Sequence, residues 1–352
     1  MTNSRNRQYT LIFDLDNSSS TWKSSQDLQI DPGLVIYSKF DGGYSIFSRD
    51  LSLKYFQSEH NSVNLNSEDI INGLSYSEQG RKNRYICNGI INDLLDWQSS
   101  KNRKIEVFTE ILRVMSPSIN DGDLGILTLG RPTKILGDSR SIPTIKHIHG
   151  STPIIHASAG VRKIINFAYS IVWSWFEIAE NFAKPKGSPL RLTLIIDEIE
   201  SHLHPKWQLS ILSNLLKVMK ILNPNMLYQI FVATHSPLVT ASLEPFFDTE
   251  TDGLFRLDLV KDDFFGSAVI FEEVIFDNIG SIDNWLSKVF ESPSYNLSTE
   301  IVLKKAEEVL DKEKPSQEEI KRLSQDLQKS LPPHDPFWVR WLYFVKFHGA
   351  EI

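Results

Sequence analysis

Apolar positions along this chain change period, and the changes mark its elements. Leu34 to Phe40 and Tyr44 to Phe47 are apolar runs separated by Asp41-Gly42-Gly43. Asp-Gly between such runs predicts a β-hairpin with a tight turn. Residues 57–83 are polar and read as loop. Ile86, Ile90, Ile91, Leu94 and Leu95 then recur at helical spacing, as do Ile105, Phe108, Ile111, Leu112 and Met115. They predict two amphipathic helices, the second ending at Ser116-Pro117. The opening segment is polar and rich in Ser and Asn around one apolar run, Tyr9 to Leu15.

The middle of the chain has a different rhythm. Leu124 to Leu129 reads as a strand, and a polar stretch leads to a long apolar helix from Val161 to Ala179. Arg191 to Ile196 is a mostly apolar strand ending in Asp197-Glu198. Lys206 to Leu222 predicts a helix with Ile211, Leu212, Leu215, Leu216, Met219 and Leu222 on one face. Gln229 to Ala233 is a second apolar strand, closed by Thr234-His235-Ser236-Pro237. Strand, helix and strand within about 40 residues predict an α/β fold with a parallel sheet flanked by helices. Further on, Gly253 to Leu259 and Ser267 to Val274 predict a hairpin around Asp262-Asp263. Residues 297–331 read as two charged helices split by Pro315, and the aromatic tail around Trp338, Trp341, Tyr343 and Phe344 reads as packing. The expected organisation is an N-terminal lobe of hairpin and helices (1–120), a core (121–275) and a C-terminal helical appendage (276–352).

Composition narrows the class. The chain has 352 residues, 41% of them hydrophobic, so a full core is within reach. Cys87 is the single cysteine, which excludes a disulfide framework and suits a reducing cytoplasm. The net charge of −7 argues against coating nucleic acid through bulk charge. The longest apolar run, Ile164 to Phe176, is broken by Asn166, Ser170 and Ser174 and falls short of the ~20 residues that span a bilayer. A soluble cytoplasmic protein with no membrane partner is expected.

Chemistry concentrates at the strand ends. Ligands of open α/β sheets collect beyond the carboxyl ends of the strands. Asp197 there can hold Mg²⁺ through water, while Glu198 can orient or polarise an attacking water. An acidic pair capping the next helix is the plainer reading of the same two residues. They do not stand alone. Ser201-His202-Leu203-His204-Pro205 follows, His235 closes the next strand 38 residues after Asp197, and Ser158-Ala159-Gly160-Val161-Arg162-Lys163 opens the long helix 39 residues before it. A Ser/Gly helix start presents backbone N–H groups to an anion.

This order resembles the C-terminal half of an ABC-type, AAA-family ATPase head of the RecF, SMC-like and OLD-like kind. His156 to Arg162 looks like the signature motif, with Ala159 where the transporter pattern has its first glycine. Leu192 to Glu198 looks like Walker B, Glu200 to Pro205 like the D-loop, and Ala233 to Pro237 like the switch-histidine loop. The resemblance implies a P-loop NTPase-like fold and ATP with Mg²⁺ as cofactors. It implies Asp197 on Mg²⁺ through water, with Glu198 and His235 catalytic. Ser158, Ala159, Gly160 and Arg162, with Ser201 and His204, would contact nucleotide across a head-to-tail dimer. The implied partner is a second copy or another ATPase subunit, with DNA or a phage-defence effector beyond it.

One expected part is missing. The family's phosphate loop reads GxxxxGK[ST], yet none of the 17 glycines is followed by lysine. Gly125 to Pro132 is a decoy, since Pro132 offers neither an N–H nor a hydroxyl. Either Met1 lies inside a longer reading frame, or the nucleotide-anchoring half has been lost. Two other readings follow: a degenerate, non-hydrolysing regulatory subunit, and a metal hydrolase built on His147, His149, His202 and His204 with Asp197 and Glu198.

Overall fold

The hairpin read from Asp41-Gly42-Gly43 forms. Strands β1 (Leu34–Ser38) and β2 (Tyr44–Phe47) are antiparallel, with Ser38 opposite Tyr44. The connection is residues 39–43 rather than a two-residue turn, because Lys39 N–H bonds the Gly43 carbonyl and Gly43 N–H bonds the Asp41 side chain at 2.8 Å. In this computed structural model the described residues are 13–16, 21–24, 33–48, 62–76, 84–116, 125–147, 150–180, 190–260, 268–276, 280, 282–290, 295–312 and 315–349. The Tyr9 to Ile12 part of the opening run, Pro117 and Asp262-Asp263 lie outside them.

The stretch read as loop holds short elements. Strand β3 (Ser62–Leu65) buries Val63 and Leu65 and pairs with β2. Helix α1 (Ser67–Asn72) starts in a capping box, with the Asn66 side chain accepting from Asp69 N–H and Asp69 accepting from Asn66 N–H. Ile86 belongs to a strand, Arg84–Cys87, not to the following helix. Gly89, at φ 79°, turns the chain against the backbone of Gly73 before α2 (Gly89–Ser100) begins.

Helices α3 (Arg103–Met115) and α4 (Ala159–Ser174) pack on one another, and α4 also packs on β1. Their core is aromatic with one buried carboxylate. Trp97 stacks on Tyr169 at 5.7 Å, and Tyr169 O–H donates to Asp93 at 2.7 Å. Asn88 donates to the other Asp93 oxygen at 3.0 Å. Burial of Asp93 pushes its carboxyl above the usual range, against the lowering effect of these two bonds. Cys87 is buried and its thiol is pushed up to about 11, chiefly by burial. Beyond α4 the backbone continues as a π-helical turn, Trp175–Glu180.

Strands β4 (Arg191–Asp197) and β5 (Leu227–Ala233) complete a five-stranded sheet of order β5-β4-β1-β2-β3. Strand β4 is parallel to both neighbours, as expected from two apolar strands joined through a helix. The hairpin strand β1, placed by sequence in a separate lobe, is a member of this sheet. The connecting helix is two pieces, α5 (Pro205–Gln208) and α6 (Ile211–Leu222), parted at Leu209-Ser210. Between α3 and α4, of the strand expected at Leu124 to Leu129 the described residues 125–129 form strand only at Thr128–Leu129, and Leu124 lies outside them. It pairs with Thr144–His147, which also pairs with Gly150–Pro153.

By internal contacts the chain divides into one unit running to Trp207 with Asn214–Thr234, and a second of Gln208–Ser213 with the residues from His235 on. The second unit contains the expected hairpin, Phe255–Val260 with Ala268–Glu273, antiparallel. Its helices Leu297–Leu310, Gln317–Ser330 and Phe337–Phe347 enclose Val309, Ile320, Leu327 and a fully buried Trp341. Trp341 Nε1 donates to Ser324 Oγ at 3.0 Å; Trp341 and Phe344 are core and Trp338 packs on them half-buried, whereas Tyr343 is exposed. Among the described residues no helix is long and apolar enough to cross a membrane.

Candidate functional site

Strand β4 carries Asp197 to the carboxyl end of the sheet. Its alternate residues Leu192, Leu194 and Ile196 are buried on one face, which puts Thr193, Ile195 and Asp197 on the other. Asp197 is level with Ala233 of β5. The Tyr37 hydroxyl of β1 hydrogen bonds Asp197, and burial, then the Asp197 charge, hold its pKa above the ordinary value.

The residues after Asp197 are held in a tight loop. Glu198 has φ 47° and His202 φ 63°, both in the left-handed region. That region costs a residue with a Cβ about 1–2 kcal/mol. Backbone bonds fix the path: Ser201 N–H to the Glu198 carbonyl at 3.0 Å, and Leu203 N–H to the Glu200 carbonyl at 2.9 Å. Thr234 at the end of β5 donates its hydroxyl to Glu200 at 2.6 Å, tying the loop to the neighbouring strand end. His204 accepts at Nδ1 from Lys206 N–H at 3.2 Å, which caps α5. Trp207 is buried and donates from Nε1 to the Met115 carbonyl at 2.9 Å.

The start of α4 meets this loop. Ser158 is the N-cap, accepting from Val161 N–H at 3.4 Å. Gly160 is buried so close to the loop that an added Cβ would lie 2.7 Å from the His202 carbonyl oxygen. One residue pair locks them: Lys163 Nζ donates to the Glu198 carbonyl at 2.7 Å. Burial lowers the Lys163 pKa to about 8, and the charges of Glu200, Glu198 and Asp197 oppose that lowering. Around this junction Ser158, Ala159, Arg162, His202 and His204 are exposed, while Ser201 is half-buried.

The structure thus brings together the residues 158–163 and 197–204 within one unit. His235, exposed, follows Thr234 directly and opens the second unit. There Ser236 Oγ donates to Gln208 Oε1 at 2.7 Å. Sequence reasoning missed Tyr37, the Lys163–Glu198 bond and the Thr234–Glu200 bond. A first-turn lysine carries no local mark of burial, and Tyr37 reaches Asp197 only through strand pairing. The histidine readings diverge: His147 Nε2 bonds Thr152 Oγ1 at 3.1 Å, and His149 lies outside the described residues. Among the described residues no group of three His, Cys, Asp or Glu side chains is arranged to hold a metal ion. The carboxylate oxygens of Asp197 and Glu198 at the strand end are nonetheless the donors a hard cation such as Mg²⁺ takes, with water filling most of its shell.

Residues 182–241 match the model of a family described as an AAA domain, with a proposed identity as the AbiEii toxin of a type IV TA system. The matched segment takes in β4, the loop at 198–204, α5, α6 and β5. It supports kinship with AAA-type P-loop ATPases and a nucleotide-binding, ATPase-like function.

Proposed function

We propose that this chain is the Walker B half of an ABC-type ATPase head that binds and hydrolyses ATP once a phosphate loop is supplied. The observation that carries this reading is the coincidence of the family match with the strand end where Asp197 and Glu198 are held. Asp197 would hold Mg²⁺ through water, and Tyr37 orients that carboxylate. When bound, Mg²⁺ supplies charge neutralisation at the phosphates. Glu198 acts as the water-orienting base, and Lys163 fixes the peptide that presents it. His235 serves as the γ-phosphate sensor.

The junction of α4 with the 198–204 loop supports a dimer role. Ser158, Ala159, Arg162 and His204 are exposed in one unit, on the two segments that meet at Gly160 and His202, suited to face a nucleotide held by another subunit. Gly160 and Ser201 shape that surface from beneath. A second reading, a regulatory subunit that does not hydrolyse, is favoured by the absence of any Gly-Lys pair in the sequence.

Calorimetry and phosphate release test the choice. Alone, the chain is expected to bind MgATP no better than about millimolar, near −4 kcal/mol. With a GxxxxGK[ST] segment present, turnover appears, and Glu198→Gln lowers it ~10²–10⁴-fold while ATP binding persists. Turnover unchanged by Glu198→Gln overturns the catalytic assignment and leaves the regulatory reading.

A further inference from the structure

The hairpin of the second unit, Phe255–Val260 with Ala268–Glu273, has two unlike faces. Its register sets Leu257 opposite Phe271 and Leu259 opposite Val269, so these four side chains share one face with Phe255. The other face sets Arg256 opposite Glu272. Arg256 pairs there with Asp258 at 2.6 Å and with Glu272 at 3.1 Å, so that face meets its charges with its own ion pairs. On the apolar face the five side chains are between 49% and 74% exposed. They are ordered against each other all the same: the rings of Phe255 and Phe271 stack at 4.7 Å with 13° between their planes.

A two-stranded hairpin is marginal in water unless its apolar face packs on something. The size and charge pattern of this face select a second copy. Five such side chains present about 500–600 Å², so two apposed faces bury about 1,000–1,200 Å², which clears the ~1,000 Å² of a specific interface. The central pairs Leu257–Phe271 and Leu259–Val269 carry no charge, and the one carboxylate on this face, Glu273, stands opposite Phe255 at its end. A twofold axis running across the strands at the Leu257–Phe271 pair lays the Phe255 end of one hairpin over the Leu259–Val269 end of the other. The two Glu273 carboxylates then lie at opposite ends of the interface, clear of each other. The exposed side of the last helix, Phe337–Phe347, fails the same criterion, since an antiparallel pair centred on Tyr343 sets Arg340 against Lys346.

We infer that the face formed by Phe255, Leu257, Leu259, Val269 and Phe271 is a homodimer surface, on which two copies stack sheet on sheet about a twofold axis. Such a contact is isologous, each copy offering the same patch to the other. Its side chains interdigitate as in the core of a β-sandwich, and the stacked Phe255 and Phe271 rings are ordered before the partner arrives. The surface is independent of the ATPase reading: it uses none of the residues 158–163 and 197–204, and no nucleotide enters it.

The test is sedimentation of the full 352-residue chain without nucleotide. Between ~1 and ~100 µM the parent chain is expected to pass from monomer to dimer, since micromolar association suits an interface of this size. Leu257→Lys and Leu257→Glu should each keep the melting temperature and weaken association about tenfold or more, because like charges then meet across the axis. Mixed one to one, the two variants should associate again, since the axis places position 257 beside its own copy. A purely structural role for Leu257 gives no such recovery. A parent chain that stays monomeric over the whole range overturns the proposal, and so does a dimer that both substitutions leave intact. A lowered melting temperature with unchanged association shows that the face packs within its own chain and overturns it too. A mixture no more associated than either variant alone overturns the twofold arrangement.

Discussion

Replacing Gly160 by alanine tests the junction between α4 and the 198–204 loop. The new methyl would stand 2.7 Å from the His202 carbonyl oxygen and 3.5 Å from the Trp207 ring. The ring edge is ordinary contact, but the oxygen is backbone and must move. Its freedom is small: His202 already sits at φ 63°, between residues whose N–H groups bond the Glu198 and Glu200 carbonyls. Overpacking a fitted site costs about 1–3 kcal/mol. Alanine's helix preference over glycine returns at most about 1 kcal/mol, and less in a first turn. The net is a loss of about 1–2 kcal/mol. At about 2–4 °C per kcal/mol for a unit of this size, the melting temperature should fall by about 2–8 °C. Scanning calorimetry reads this directly. Gly160→Val should lose more, while Ser158→Ala, which removes only a long cap bond, should lose about 0.5–1 kcal/mol. If Gly160→Ala melts at or above the parent temperature and Gly160→Val does no worse, the close approach is not a constraint and the reasoning fails.

Glu198→Asn should raise stability by about 0.5–1 kcal/mol, since asparagine tolerates the left-handed region, while turnover in the presence of a phosphate-loop segment is lost. A lower melting temperature would refute the strain argument. Lys163 has a native pKa lowered from 10.5 to about 8, so the unfolded chain holds more protons between those values. Stability should therefore rise as pH climbs through that window, and Lys163→Met should flatten the rise in denaturant midpoints. Asp93 is the opposite case: its native pKa lies above 3.8, so the folded chain holds the extra proton. Stability contributed by this group is present at low pH and falls as pH rises above about 3.8. Asp93→Asn, which can still accept from Asn88 and keep the Tyr169 contact only by donating to its hydroxyl oxygen, should remove that slope. A variant with an unchanged slope above about pH 3.8 would assign the titration elsewhere.

Strands β4 and β5 were legible because each is an apolar run closed by a polar motif, and their pairing followed from one helix between them. The cap chemistry at Asn66 and Asp69 went unread within the polar stretch 57–83. Helix α1, which it starts, is six residues long and the strand before it four, too short for a period to show against a polar background. The site was legible as residue types but not as geometry. Gly160 was read as a motif position, whereas the reason for a glycine there is a carbonyl on another segment. Lys163 stood in the helix-opening motif as a cation, with no sign that the fold lays the Glu198 peptide beside it. The left-handed backbone at Glu198 and His202 had no sequence signal, since neither is Gly or Asn.

That backbone has a meaning for mutational drift. At positions 198 and 202 the least strained occupants are glycine and asparagine, and every β-branched residue is worse than what is present. A chain released from selection on its chemistry would slide toward those occupants, because each such change adds stability. Glutamate at 198 is thus held uphill of its neutral alternatives. Under the proposed role, a side chain kept where the backbone disfavours it is a carboxylate still in use, and drift at 198 in sister chains would date the loss of that use.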